Sequence, residues 1–233
     1  MSLVYNKKLS HSAGHRKRAC DKLIKAGYEN LFDYEIVELM LFLIFKRKDV
    51  KPLAKTLINK FRTIDGVLNA TMEQLLEVEG VGENAFRAIK IINGIVKASL
   101  KSRIMKRDSI ECFEDVISYC KVNMKHLVIE ELRVIFLNAV NEVIADDVLQ
   151  EGDIDSVEIC PRSIMKKCLE NGAKGVILVH NHPSGDPTPS VNDVYTTMKI
   201  KEAANTLGIV IVDHIIIGGE RYVSLKTLNL LGK

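Results

Sequence analysis

No stretch of this 233-residue chain is apolar for long enough to cross a bilayer. The two longest runs, near 39–45 and 209–217, fall well short of the ~20 residues a spanning helix needs. Basic residues open the chain without an apolar segment behind them, so no signal peptide is expected and the protein reads as cytoplasmic, with no membrane partner. The five cysteines (Cys20, Cys112, Cys120, Cys160, Cys168) contain no Cys-x-x-Cys pair. Two pairs stand eight residues apart, but an odd count without metal-knuckle spacing argues for buried free thiols in a reducing compartment. Internal repeats and low-complexity segments are missing too. What remains is an ordinary globular composition, 47% hydrophobic and 27% charged.

Proline is scarce, with five residues, and its distribution is informative. Three of the five fall in one stretch, His180-Asn181-His182-Pro183-Ser184-Gly185-Asp186-Pro187-Thr188-Pro189-Ser190-Val191-Asn192-Asp193, which also holds two of the six histidines. The apolar run Gly175-Val176-Ile177-Leu178-Val179 leads into it and reads as a buried strand. Side chains alternate along a strand, so His180 and His182 project to the same side and can share a metal ion. Ser190 reads as the N-cap of a following helix, which sets Asp193 in the first turn as a third ligand. Ser-x-x-Asp is also a capping-box pattern, and the two readings are compatible because the helix start aims the carboxylate.

Charge divides the chain. Residues 1–107 carry 21 Lys+Arg against 11 Asp+Glu, and the remainder carries 12 against 19. Opposite signs suggest two modules, the first drawn to a polyanion. The first, 1–104, reads as all-helical. Helices are expected at 16–26, at 34–45 with Asp33 as N-cap and Ile36, Leu39, Met40, Leu43 and Ile44 as the apolar face, and from Pro52 to Arg62. A Thr71-x-x-Gln74 capping box opens a further short helix. Gly80-Val81-Gly82 then resembles the turn of a helix-hairpin-helix, where backbone N–H groups approach a phosphate, although Glu79 and Glu83 flank it. A sequence-independent contact with DNA through residues 1–104 is the partner this implies.

From 105 to 233 strands interleave with helices. Strands are expected at 132–137, 143–149, 175–182, 209–217 and 222–225, and helices at 114–125, 162–170 and 191–207. Val194, Tyr195, Met198 and Leu207 are taken as the inner side of the last helix. The expected fold is α/β, a mixed sheet with helices on both faces, preceded by the small helical domain.

Two histidines and a carboxylate suit Zn2+, with iron and manganese as the alternatives, and leave an open position for water. Such a site acidifies the water and polarises a carbonyl, and wants a general base outside the ligand set. Ser190 is the candidate donor to the oxyanion. The residues thus point to metal-assisted hydrolysis with the base unassigned.

His-x-His-Pro-Ser-Gly followed by Pro-Ser and Asp resembles the JAMM signature of MPN-type metalloproteases. The full string HNHPSGDPTPSVND is similar, more narrowly, to the RadC family. Pro161-Arg162, residues 171–173, Val212-Asp213-His214-Ile215, the region 33–38 and the glycine hairpin extend the resemblance over nearly the whole chain. It implies a deaminase-like MPN domain and zinc held by His180, His182 and Asp193. It further implies an oxyanion role for Ser190 and a general base eight residues before the Asn138 that ends an early strand, which is Glu130. Glu131, on the opposite face, is what a one-residue slip would select. Gly152-Asp153 and Ser163 depart from the family's usual Gly-Thr and Glu, outside the metal ligands. His214 reads as a core histidine or one supporting a ligand.

The function implied is zinc-dependent cleavage of a peptide or isopeptide bond in a protein or peptide substrate. A metal-dependent nuclease and a non-catalytic DNA repair or processing factor are the alternatives. The adjacent letters H-N-H do not favour the nuclease, because the motif of that name scatters its residues over a ββα unit.

Overall fold

Caps and glycines punctuate the N-terminal part into short helices. α1 (His15–Ala26) stops at Gly27, whose φ of 76° few other residues adopt. It is followed by α2 (Asp33–Phe42), α3 (Lys51–Phe61), α4 (Ile64–Asn69), α5 (Met72–Leu76) and α6 (Glu83–Met105). Thr71 and Gln74 form the expected reciprocal cap, with bonds of 3.3 and 2.9 Å. The computed structural model describes residues 14–46, 48–105, 113–151 and 160–232.

Contacts divide the chain into two units, Met1–Ile95 and Val96–Lys233. The division lies inside α6, upstream of the 104/105 boundary read from sequence, because Ile104 belongs to the second unit's core. The first unit is helical and packs Val37, Leu41, Leu53, Leu57, Leu75 and Ile89 together. In α2 the buried stripe is Val37, Glu38 and Leu41, while Leu43 lies 76% exposed beyond the helix end. Of the expected face, Met40 and Ile44 pack half-buried against this core, and polar contacts account for the buried Glu38. α1 buries no residue of its own, but its His15 bonds the buried Glu38 at 2.9 Å and Arg16 donates to the carbonyls of Phe42 and Phe45.

The second unit begins with the C-terminal part of α6 and continues with α7 (Phe113–Met124), β1 (Glu131–Leu137), β2 (Val143–Glu151), α8 (Pro161–Asn171), β3 (Gly175–Asn181), α9 (Val191–Thr206), β4 (Val210–Gly218) and β5 (Arg221–Ser224). The sheet order is β2-β1-β3-β4-β5. Only β3 and β4 run parallel, joined through α9; the other neighbours are antiparallel, so the sheet is mixed.

Alternation sorts the strand residues onto two cores. Leu132, Val134, Phe136, Val176 and Leu178 face α8 and α9, while Ile135, Leu137, Ile177, Val179 and Ile217 face α7 and Ile104. Helices therefore cover both faces, as the period changes in the sequence predict. The inner stripe of α9 differs from the one expected. Asp193, Thr197, Ile200 and Ala204 are buried, whereas Tyr195 is 58% exposed and Met198 and Leu207 also face solvent. Hydrophobicity misleads there because the first half of α9 faces a polar site rather than an apolar core.

Among the described residues, no helix is long and apolar enough to cross a membrane. Cys120 and Cys168 are buried free thiols, Cys20 is half-buried and Cys160 is exposed. Cys112 and the Gly152-Asp153 pair lie outside the described residues.

Candidate metal centre

β3 is buried along its whole length and delivers His180 at its end, on the face shared with Val176 and Leu178. His182 follows one residue beyond the strand, its N–H held 2.8 Å from the Ile217 carbonyl of β4. The chain then turns at Gly185 (φ 81°) and crosses the end of β4. Gly218 makes that crossing possible. A Cβ there would stand 2.5 Å from the Pro187 nitrogen and 2.6 Å from its Cδ, so the loop rests directly on bare backbone.

The loop ends at Ser190, which caps α9 as expected. Its Oγ accepts the Asp193 N–H at 3.1 Å, and the Asp193 carboxylate accepts the Ser190 N–H at 2.7 Å. Asp193 Oδ1 thereby comes to 3.3 Å from His180 Nε2 and Oδ2 to 3.5 Å from His182 Nε2, with the two nitrogens 2.9 Å apart. These are the only three His, Cys, Asp or Glu side chains grouped in metal-ligand fashion among the described residues.

The donor set fits a small divalent cation. Ligands at zinc–nitrogen lengths in a tetrahedron stand about 3.3 Å apart, close to the separations seen. His182 Nδ1 bonds the Asp186 carbonyl at 2.8 Å. A carbonyl has no hydrogen to give, so Nδ1 carries the proton and Nε2 is left to coordinate or to bind a second proton. His180, 2% exposed, and Asp193, 7% exposed, form the buried wall, and half-buried His182 forms the open side.

Electrostatics agree with the geometry. Burial opposes the charge on Asp193, but its close approach to His180 and His182 outweighs it and holds the carboxyl far below its usual range. The bond to Asp193, helped by the Asp186 carbonyl and the charge of Glu130, raises the His182 pKa against the cost of its burial. Burial pushes His214 well below the ordinary imidazole value, which favours its neutral form.

The two glutamates at the start of β1 have different surroundings. Leu132 pairs with His180 in the antiparallel register, which continued two residues sets Glu130 opposite His182 on the same face. Asn181, buried between the two histidines but pointing to the other face, clamps this segment. Its Oδ1 accepts the Glu131 N–H at 2.9 Å and its Nδ2 donates to the Ile129 carbonyl at 3.0 Å. Glu130 sits between those two anchored peptides. Glu131 instead accepts from Arg133 Nη2 at 3.0 Å, and Arg133 bridges to Asp146, which also holds Lys101 and Tyr119. Glu131 is thus committed to a buried ion network on the far face.

Sequence reading missed Asn181 and Thr197. The first was hidden as the middle letter of a metal motif. The second lies four residues after Asp193, a spacing that sets it on the same helix face. Ser163, one of the positions departing from the family pattern, lies in the first turn of α8 with its N–H on the Cys160 carbonyl.

Residues 110–230 match the family model of the RadC-like JAB domain.

Proposed function

This chain belongs to the RadC-like JAB domain family, and on that premise we propose that it is a zinc-dependent hydrolase cleaving a peptide or isopeptide bond. The convergence of His180 Nε2, His182 Nε2 and the Asp193 carboxylate carries the reading, because two imidazole lone pairs and an anion within 3.5 Å call for a cation. Bound there, zinc supplies a Lewis acid that acidifies water and polarises a carbonyl.

The chain's own residues divide the remaining work. Glu130, across from His182, takes the proton released when water attacks and returns it to the departing amine. The Ser190 Oγ accepts from Asp193, and that bond leaves its hydroxyl hydrogen to meet the developing oxyanion. Elemental analysis of the purified protein tests the premise, with close to one zinc per chain expected and lost in His182→Ala. Glu130→Gln should keep the zinc and abolish cleavage of peptide or isopeptide-linked substrates, followed by mass spectrometry. Metal-free protein whose stability zinc does not change would sink the reading. Zinc-dependent DNA cleavage lost in Glu130→Gln would replace the protease with a nuclease.

The charge asymmetry supports a second role, a sequence-independent DNA contact by the first unit. At the glycine turn, Gly82 is open, and the Lys48 ammonium stands 3.2 Å from where a Gly80 Cβ would be. Full-length protein should bind duplex DNA with an affinity that falls steeply with salt, and Lys48→Glu should weaken it. Salt-independent binding, or none, refutes this.

A further inference from the structure

Behind the metal ligands a chain of buried polar groups runs back to its own start. His180 Nδ1 lies 2.8 Å from His214 Nε2, and His214 Nδ1 lies 2.5 Å from Thr197 Oγ1. Thr197 Oγ1 in turn lies 2.5 Å from the backbone oxygen of Asp193. All four residues are buried, with Thr197 at 0% and His214 at 3% exposure. His214 is fixed from outside the ring as well. Its N–H bonds the Asp213 carboxylate at 2.7 Å, and that carboxylate also takes the Ser224 hydroxyl at 2.6 Å.

Counting hydrogens gives this chain a direction. A carbonyl oxygen has no hydrogen, so two oxygens 2.5 Å apart are tolerable only with the Thr197 hydrogen between them. With its one hydrogen given to Asp193, Thr197 can only accept from His214, which places the His214 proton on Nδ1. His214 Nε2 is then a bare lone pair and accepts from His180 Nδ1. His180 Nε2 is left bare, and it is the atom that faces His182 and Asp193.

We propose that Thr197 and His214 are positioning residues that select the metal-competent tautomer of His180, with the proton order set by the backbone carbonyl of Asp193. This rests on the metal reading above and adds to it a source for the tautomer. The opposite order, with the threonine hydrogen on His214, would put a proton on His180 Nε2 and close the site to a cation. A second metal ligand's own backbone therefore dictates how the first presents its nitrogen, which couples the β3 ligands to the α9 ligand.

Long-range proton–nitrogen spectra of the full-length protein, zinc-free and with zinc added, test the order directly. The proton is expected on Nδ1 of both His180 and His214 in each state. A proton on His214 Nε2 in either state overturns the proposal, and this readout needs no variant. Competition with a zinc chelator supplies the second measurement. Thr197→Val, which keeps the shape and loses the acceptor, should weaken zinc binding by roughly 10–100-fold and mix the His180 tautomers, while Thr197→Ser restores both. Unchanged zinc affinity in folded Thr197→Val overturns the proposal, as does failure of Thr197→Ser to restore it. If the wild-type protein takes up no zinc, the hydrolase reading fails, and the zinc-free tautomers still judge the relay.

Discussion

Gly218→Ala places one methyl group under the loop that connects His182 to Asp193. The glycine lies outside the left-handed region, so alanine's backbone preferences add no penalty and the whole effect is steric. The new carbon would stand 2.5 and 2.6 Å from Pro187 atoms and 2.8 Å from the Asp186 carbonyl carbon, against 3.4 Å for ordinary contact. The loop must retreat by about 0.8 Å, or the strand end must yield, at about 1–3 kcal/mol for overpacking. Asp186 holds His182 Nδ1 through its carbonyl, so the shift reaches that imidazole without touching it. Zinc-free protein can let the loop swing away, whereas zinc-bound protein cannot, and the strain should fall mainly on binding. A weakening of roughly 5–150-fold follows. At free zinc one hundred times the wild-type Kd, binding stabilises the wild type by about 2.7 kcal/mol, and a hundredfold loss of affinity would leave about 0.4 kcal/mol. Thermal denaturation with and without zinc, for both proteins, reads this difference. If zinc raises the Tm of Gly218→Ala as much as that of the wild type, the loop is not held by contact with Gly218 and the reasoning is wrong.

Asn181→Ala should separate the base from the metal. It leaves the buried Glu131 N–H without its partner, at about 1–3 kcal/mol in urea unfolding, and frees the segment carrying Glu130, so turnover should fall further than zinc content. Wild-type stability together with wild-type turnover would contradict that. Zinc affinity should rise with pH. The raised His182 pKa comes first from its bond to Asp193, and its protonated form stabilises the zinc-free fold below the unfolded imidazole value near 6.5. That stability is lost as pH rises through the folded value, and zinc must displace the same proton. Affinity by chelator competition should therefore gain about tenfold per pH unit while His182 stays protonated, then level off. A flat profile across that range would show that His182 is not a ligand.

The grouping of His180, His182 and Asp193 was legible because the local rules are strict. A run of five apolar residues fixes a buried strand, strand alternation then fixes His180, and a proline-led Ser-x-x-Asp fixes a helix start. The glycine stops and the Thr71 cap were legible for the same reason. The parts that failed were those where tertiary contacts override composition. The stripe of α9 that faces inward is half polar because it faces imidazoles, so a search for apolar residues chose Tyr195 and Met198 instead of Thr197. In α2 a glutamate, Glu38, is buried because α1 docks there through His15 and Arg16, contacts that no periodicity announces. Which of Glu130 and Glu131 shares a face with the histidines needed the pairing of Leu132 with His180, a long-range register that one strand's sequence does not contain.

The middle residue of His180-Asn181-His182 has a consequence for transplanting this chemistry. The pleat that turns the histidines to one side turns Asn181 to the other, where it grips the neighbouring antiparallel strand. Moving residues 180–193 onto a foreign parallel sheet would carry the three ligands and the helix cap but leave Glu130 behind. The smallest portable unit is a pair of strands with their helix, and any design that borrows the metal motif must borrow its neighbour along with it.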